Sequence, residues 1–325
     1  MWRRLRNGLG LLSERLVALL AGGVLSLLAG GSCQLRVRAR RPSGGARASS
    51  LPPARSAVPV ACSAVRLATF LASDSGLPLG GEVRGDSVVA FADGSSVLDR
   101  LVSGDRAPAG GQELALADVM LLAPVALPRA IFGIGLNYAA HAAEQGRGLP
   151  EAPIVFMKLP SSSAAPGGPV RCPDVVKRLD YEGELAIVMG ADGEIAGYAV
   201  ADDVSARDLQ RREPQWTRAK GADTFCPWGP WITTADEVPD PQDLALRTWV
   251  NGELRQDSRT SDLIFGCREL VAFIAQTCTL APGDLILTGT PSGVGMSMEP
   301  RRFLEAGDVV RIEIERLGAI EHPIA

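Results

Sequence analysis

The chain has 325 residues, 46 % of them hydrophobic and 22 % charged, with a formal net charge of −4, an ordinary balance for a soluble globular protein of about two domains. The charge is split along its length. Residues 1–62 hold ten arginines, no lysine and one acid, Glu14, for +9, which leaves 23 basic and 36 acidic residues, or −13, in the remainder; a body that acidic excludes an electrostatic footprint for nucleic acid or an anionic membrane surface.

The opening text, MWRRLRNGLGLLSERLVALLAGG, is basic and amphipathic, and the stretch from Leu35 to Cys62 is Arg-rich, Ser-rich and acid-free. An organellar transit peptide reads this way. It is expected to be cleaved near Ala61 to Ser63, placing the mature protein in a mitochondrion, with a plastid as the alternative. The apolar run from Leu16 to Gly30 is a rival secretory signal, too short and glycine-rich for a membrane span, and the second basic stretch favours the organelle. Cys33 and Cys62 fall in this leader. Cys172, Cys226, Cys267 and Cys278 form no Cys-x-x-Cys and have no histidine pattern nearby, so neither a zinc site nor a disulfide framework is indicated.

From Val65 to about Ala123 short strand-like runs alternate with turns, a small β-rich unit assigned to residues 63–125. The proline-bracketed junction LLAPVALPRAIFGIG then leads into a main body, residues 126–325. There YAAHAAEQ reads as a short helix, with Asn137 as a candidate cap and Gly146 as its stop. His141 and Glu144 then lie three apart on one helical face, where a carboxylate can orient an imidazole as a general base; a surface pair is the plainer reading.

The stretch LDYEGELAIVMG, residues 179–190, places Asp180, Glu182 and Glu184 on one side of a strand and runs on into residues apolar on both faces. Either its polar face is solvated, or two buried carboxylates require a proton or a cation between them. GYAVADDVSARDLQRR passes from a strand to a helix with Asp202 and Asp203 at the transition. An aspartate there is commonly a helix cap, as Ser205 could be; a third carboxylate at that point could also complete an oxygen cage suited to magnesium, manganese or calcium rather than zinc. Asn251-Gly252 in LRTWVNGELRQ is a hairpin signal, CRELVAFIAQTC is helical, and LAPGDLILTG and LEAGDVVRIEIERLG are turns launching strands. LTGTPSGVG lacks the Gly-Lys-Ser/Thr of a nucleotide loop, although its backbone and Thr290 could line a ligand. The fold class is α+β, predominantly β, and not a doubly wound sheet.

Seven segments in order, GIGLNYAAHAAEQG, IVFMKLPSS, LDYEGELAIVMG, GYAVADDVSARDLQ, KGADTFCPWGPW, VNGELRQ and PGDLILTGTPSGVG, resemble the fumarylacetoacetate hydrolase family, most of all its mitochondrial-type members. The resemblance spans Ile131 to the C-terminus and implies a mixed β-sandwich roll, usually built as a homodimer. It places metal ligands at Glu182, Glu184 and Asp203, a catalytic dyad at His141 and Glu144 with Lys220, and substrate contacts at Gln210, Thr290, Lys158 and Arg207. A fourth carboxylate used by some relatives has no identifiable counterpart upstream. The implied cofactor is Mg²⁺, with Mn²⁺ or Ca²⁺ as alternatives. The implied partner is a small 2-oxo or 1,3-dicarbonyl acid, oxaloacetate or acylpyruvate in type, whose enolate a metal would stabilise. Three reactions are open to such a site: keto-enol tautomerisation, hydrolytic C–C cleavage and decarboxylation. The first two are favoured; a non-catalytic, metal-dependent 2-oxo acid binding protein is the alternative of another class.

Overall fold

A computed structural model describes residues 65–72 and 76–325, so the Arg-rich leader read over 1–62 lies outside it. Short strands separated by turns open the chain: β1 (Arg66–Ala72), β2 (Leu79–Arg84), β3 (Ser87–Ala90), β4 (Glu113–Ala115) and β5 (Val119–Leu122). Between β3 and β4 stands a helix that the strand-like reading of this region misses, α1 (Val97–Ser103), started by a Ser96–Asp99 capping box and stopped at Gly104. The main body continues with β6 (Ile131–Gly135), α2 (Ala139–Glu144), β7 (Ile154–Lys158) and β8 (Ser163–Ala164). The acidic stretch forms β9 (Leu179–Asp180) and β10 (Gly183–Met189), followed by β11 (Ile195–Asp202), β12 (Ser205–Ala206), α3 (Arg207–Arg212), α4 (Thr217–Lys220) and β13 (Cys226–Thr234). Last come β14 (Ala245–Val250), β15 (Glu253–Arg259), α5 (Cys267–Ala275), β16 (Leu285–Leu287), β17 (Val309–Ile314) and β18 (Gly318–Pro323).

One mixed sheet of twelve strands runs β4-β3-β2-β1-β13-β11-β10-β16-β6-β7, with β5 beside β1 and β8 beside β13. Its pairings are antiparallel except β16 with β6 and β13 with β8. A four-stranded antiparallel sheet, β15-β14-β17-β18, packs on it, and β12 pairs with β9 in a small ribbon. Asn251 and Gly252 join β14 to β15 at φ of 52° and 78°, the doubly positive turn that matches strand twist and that this dipeptide tolerates. Strands predominate in two packed sheets with few helices, as the sequence reading expects.

β10 explains why the two faces of the large sheet are both apolar. Leu185, Ile187 and Met189 pack with Leu246, Ile312 and Ile314 of the smaller sheet and with Leu270 and Ile274 of α5. Ala186 and Val188 point the other way, into a cluster with Val97 and Leu101 of α1 and with Trp228. A strand covered on both sides has to be a continuous apolar run, and every residue from Leu179 to Gly190 is buried. Truncating Ile187, which is fully buried, removes three carbons from this central layer. Ile187→Ala is expected to lower unfolding stability by about 2–5 kcal/mol, read as a drop in the urea midpoint at unchanged slope.

Candidate active site

The solvated-face reading of the acidic stretch does not survive: Asp180, Glu182 and Glu184 are 0, 5 and 1 % exposed. β9 ends at Asp180, and β10 restarts at Gly183, whose amide donates to Gln256 Oε1 (3.0 Å). Glu182 sits in the link with its own amide donating to Asp202 (2.8 Å). Asp203 follows β11, with its amide donating to the Glu182 carbonyl (2.9 Å). These turns bring Glu182, Glu184 and Asp203 together, with one oxygen of each within 4.8 Å of the others.

Three buried cations surround the acids. Lys220, ending α4, bridges Glu182 (2.5 Å) and Asp203 (2.6 Å). Lys158, ending β7, meets the other Asp203 oxygen (2.5 Å). Arg207, opening α3, grips Asp180 (2.8 Å) and Glu182 (2.6 Å). Among the described residues Glu184 has no ion pair, and the hydrogen bond it accepts comes from the Gly289 amide (2.7 Å). Asp202 is taken up by His322, and the other four buried carboxylates stand against three buried cations, so that one formal negative charge is in excess and falls on Glu184. Burial, then the charges of Asp203 and Glu182, push its carboxyl well above the ordinary range. At Glu182 burial is outweighed by Arg207 and Lys220, which hold the carboxyl below that range. Lys220 is likewise desolvated, but Asp203 and Glu182 keep its ammonium form favoured. An all-oxygen triad with an uncompensated negative charge fits a hard divalent cation.

The helix bearing the histidine is built differently from expectation. Asn137 does not cap α2; Tyr138 takes the cap position, with no side-chain cap bond. Asn137 is buried instead, donating to the carbonyls of Phe265 (3.0 Å) and Thr288 (2.8 Å) and accepting from the Phe265 amide (2.8 Å). Its β-carbon crowds Gly289, which adopts φ +99° and where an added Cβ would lie 2.8 Å away, so the loop that presents the Gly289 amide to Glu184 needs glycine there. Gly146 does stop the helix: Gly146 and Arg147 donate back to Ala143 and Ala142, closing the last carbonyls. Nor do Asp202, Asp203 or Ser205 cap α3, whose cap position is Ala206, without a side-chain cap bond. Asp202 pairs with His322 (3.0 Å) inside the protein, and the Ser205 hydroxyl donates to the Asp203 carbonyl (2.9 Å).

His141 is 3 % exposed, with Nδ1 3.1 Å from Glu144 Oε2 and Nε2 2.8 Å from the Gln145 side-chain nitrogen. An amide nitrogen only donates, so Nε2 accepts and the ring proton sits on Nδ1 facing Glu144. Glu144 is fixed in turn by the Gly293 amide (3.0 Å). A cavity of about 260 Å³ is lined by His141, Gln145, Glu182, Arg207, Gln210, Lys220 and Thr290. Gln210 accepts from Arg207 Nη1 (3.0 Å), while Arg207 Nη2 is buried without a partner. The Thr290 hydroxyl donates to the Gly183 carbonyl (3.0 Å) and accepts from Gln256 (2.8 Å). Glu184 and Asp203 are buried behind the residues that line the cavity, and so is Lys158, whose ammonium is directed to Asp203 and the Val204 carbonyl (3.3 Å), whereas Glu144 lies at the surface with its side chain 21 % exposed. The sequence reading missed Gln145, Gln256 and Asp180, together with the wall of Phe156 and Trp216, whose rings meet edge to face at 5.4 Å. Gln145, Gln256, Asp180 and Phe156 stand inside quoted motifs, GIGLNYAAHAAEQG, VNGELRQ, LDYEGELAIVMG and IVFMKLPSS; Trp216 lies outside all of them.

A family profile described as fumarylacetoacetate (FAA) hydrolase, C-terminal, matches residues 130–325. A mitochondrial oxaloacetate tautomerase of Xenopus laevis is 44 % identical over 223 residues, 65 % of this chain and 70 % of that protein, and one of Rattus norvegicus is 44 % identical over 215 residues, 63 % and 69 %. Among solved structures, a fumarylacetoacetate hydrolase from Exiguobacterium antarcticum aligns at TM-score 0.73 and 34 % identity over 80 % of this chain and 99 % of its own. A 5-carboxymethyl-2-hydroxymuconate delta-isomerase from Mycobacterium smegmatis aligns at 0.68 and 39 %, with 80 % and 99 % covered.

The surplus charge at Glu184 makes the metal testable through stability. A cation at one hundred times its Kd adds about 2.7 kcal/mol to the folded state, so Mg²⁺ is expected to raise the melting temperature of the wild type. Glu184→Gln should abolish that rise while leaving the metal-free protein as stable or more so; an intact Mg²⁺ response would sink the assignment. Because the folded carboxyl is raised, its contribution to metal-free stability is present at acidic pH and lost as pH rises through the folded value. Glu184→Gln should therefore flatten the decline of metal-free stability with rising pH.

Proposed function

The chain belongs to the fumarylacetoacetate hydrolase family, and from that premise we propose that it is a divalent-metal-assisted enzyme acting on a 2-oxo acid with a second carbonyl, with keto-enol tautomerisation of oxaloacetate as its reaction. The observation that carries this reading is His141, paired with Glu144, which opens onto the same cavity as Lys220 and as Glu182 of the carboxylate triad. The names of the relatives support the substrate and the tautomerase reading over hydrolytic C–C cleavage.

Glu182, Glu184 and Asp203 would hold Mg²⁺, or Mn²⁺ or Ca²⁺ in its place, and the ion would supply Lewis-acid polarisation of the 2-oxo group and stabilisation of the enolate. The unpartnered Nη2 of Arg207 is the donor available for the acid's first carboxylate, with Gln210 and Thr290 beside it. His141 Nε2 already carries a lone pair. When substrate displaces the Gln145 amide, this nitrogen takes a proton from the carbon between the two carbonyls, and Glu144 stabilises the imidazolium that forms. Lys220, held protonated by its two carboxylates, gives a proton to the developing oxygen. In the substrate one C–H bond breaks and one O–H bond forms; His141 gains a proton as Lys220 loses one, exchange with solvent resets both groups, and the reverse steps restore the keto acid.

A metal-dependent binding protein would need the carboxylates and Arg207 but not an oriented imidazole. Purified protein with Mg²⁺ should change the enol absorbance of oxaloacetate faster than buffer does. His141→Ala should keep metal and ligand binding while losing roughly 10²–10⁴-fold in rate; an unchanged rate would refute the role of this base.

Two further proposals accompany this one. A mitochondrial location is supported by the Arg-rich leader and by relatives named as mitochondrial. A homodimer is supported by β7, which forms one end of the large sheet with Ile154, Val155, Met157 and Leu159 exposed at 37, 38, 38 and 46 %, an apolar edge that solitary proteins seldom leave open. Sedimentation should give twice the chain mass, and Met157→Lys should move it toward that of one chain.

A further inference from the structure

Resting on the reading of the cavity as a 2-oxo acid site, we infer that it selects acids with a second carboxylate, and that Arg147 and Arg211 at its mouth recognise that second charge. Five charged side chains apart from His141 line the cavity: Glu182, Arg147, Arg207, Arg211 and Lys220. The two deep cations are committed, Arg207 to Asp180 and Glu182 and Lys220 to Glu182 and Asp203. Arg147 and Arg211 are exposed, and among the described residues neither has an ion pair or a side-chain hydrogen bond. They come from separate segments, the loop after α2 and the last turn of α3, and converge on one opening.

At the deep end the cations are already committed to carboxylates, with one free guanidinium N–H, whereas the mouth carries two uncompensated positive charges. A ligand complementary to both is anionic at both ends, with its carbon chain along Phe156 and Trp216. An acid with a single carboxylate and an apolar tail leaves the arginines unpaired and gains nothing from them. Two unpaired cations around an opening also draw a dianion in more strongly than a monoanion, an effect that falls with added salt.

Oxaloacetate and acetylpyruvate separate the cases, being 2-oxo acids with a second carbonyl that differ in the distal carboxylate. The ratio of their kcat/KM values should favour oxaloacetate in the wild type. It should fall roughly fivefold in Arg147→Gln and in Arg211→Gln, and more than tenfold in the double variant, with the melting temperature unchanged because both side chains are exposed. Calorimetric titration with malate and lactate, neither of which can enolise this way, should show tighter binding of malate, a preference lost in the double variant. If oxaloacetate is turned over and the arginines move neither ratio, the inference falls. If neither oxo acid is turned over but malate is preferred through the arginines, the enzyme reading falls and the diacid site stands.

Discussion

A surplus of buried negative charge where β9, β10 and β11 meet is the constraint on which the rest of the structure depends. A carboxylate removed from water without compensation costs several kcal/mol. This protein removes five of them, Asp180, Glu182, Glu184, Asp202 and Asp203, within one small region, and Asp202 is taken up by His322. The response is visible in residues from four distant segments. Lys158 closes β7, Arg207 opens α3, Lys220 ends α4, and the glycine-rich loop after β16 turns the Gly289 amide toward the one acid left without an ion pair. The fold cannot satisfy this centre locally, which is why strands far apart in the chain converge on it.

Around the charges lies a frame of polar side chains spent on backbone groups. Gln256 alone accepts from the Gly183 amide and donates to Thr290 and to the Pro291 carbonyl (2.9 Å). Asp180, besides holding Arg207, takes the amides of Gly295 (2.8 Å) and Met296 (3.1 Å). Asn137 ties β16 to the entry of α5. Each of these residues is buried, and each bond fixes a loop that β-pairing leaves free, so the polar network does for the site what interdigitated apolar side chains do for the core. The same loops hold the partner of His141: Gly293 positions Glu144 through its amide and accepts the Tyr181 hydroxyl (2.7 Å) on its carbonyl.

Much of this was legible in the sequence because it rests on spacing. The i,i+2 acids, the i,i+3 His–Glu pair, the Asn-Gly hairpin and the strands launched from Gly-Asp turns all lie where the text places them. The cap expected at Asn137 does not form, and of the two readings open at Asp202, Asp203 and Ser205 the cap is the one the structure does not take up. A buried polar side chain answers to whichever group is unsatisfied nearby in space: backbone of another segment for Asn137, the Glu182 amide and His322 for Asp202, two lysine ammoniums for Asp203, and the Asp203 carbonyl for Ser205. The solvated and buried readings of LDYEGE could not be separated by period alone, since the three cations that settle the matter stand between 22 residues upstream and 40 residues downstream of Asp180. Gln145 was passed over because a glutamine ending a helix has no distinguishing pattern; only its 2.8 Å approach to Nε2 marks it.

The two glutamates on either side of Gly183, where β10 starts, show why residue type does not fix chemistry. Glu182 and Glu184 are the same side chain, two residues apart and equally buried, yet their carboxyls are displaced in opposite directions. Burial acts on both alike; the difference comes from company, Arg207 and Lys220 for one, Asp203 and Glu182 for the other. Glu182 is thereby kept ionised at the cavity wall, where it preserves the proton of Lys220, while Glu184 is left as the acid that most needs a cation. On the proposed reading, a site arranged in this way ties the acid of the reaction to the ligand set of the metal through two shared carboxylates, Glu182 and Asp203. Weakening either would then disturb both at once, whereas Glu184 would act on the metal side and His141 on the proton side, which makes those two positions the ones where the two functions come apart.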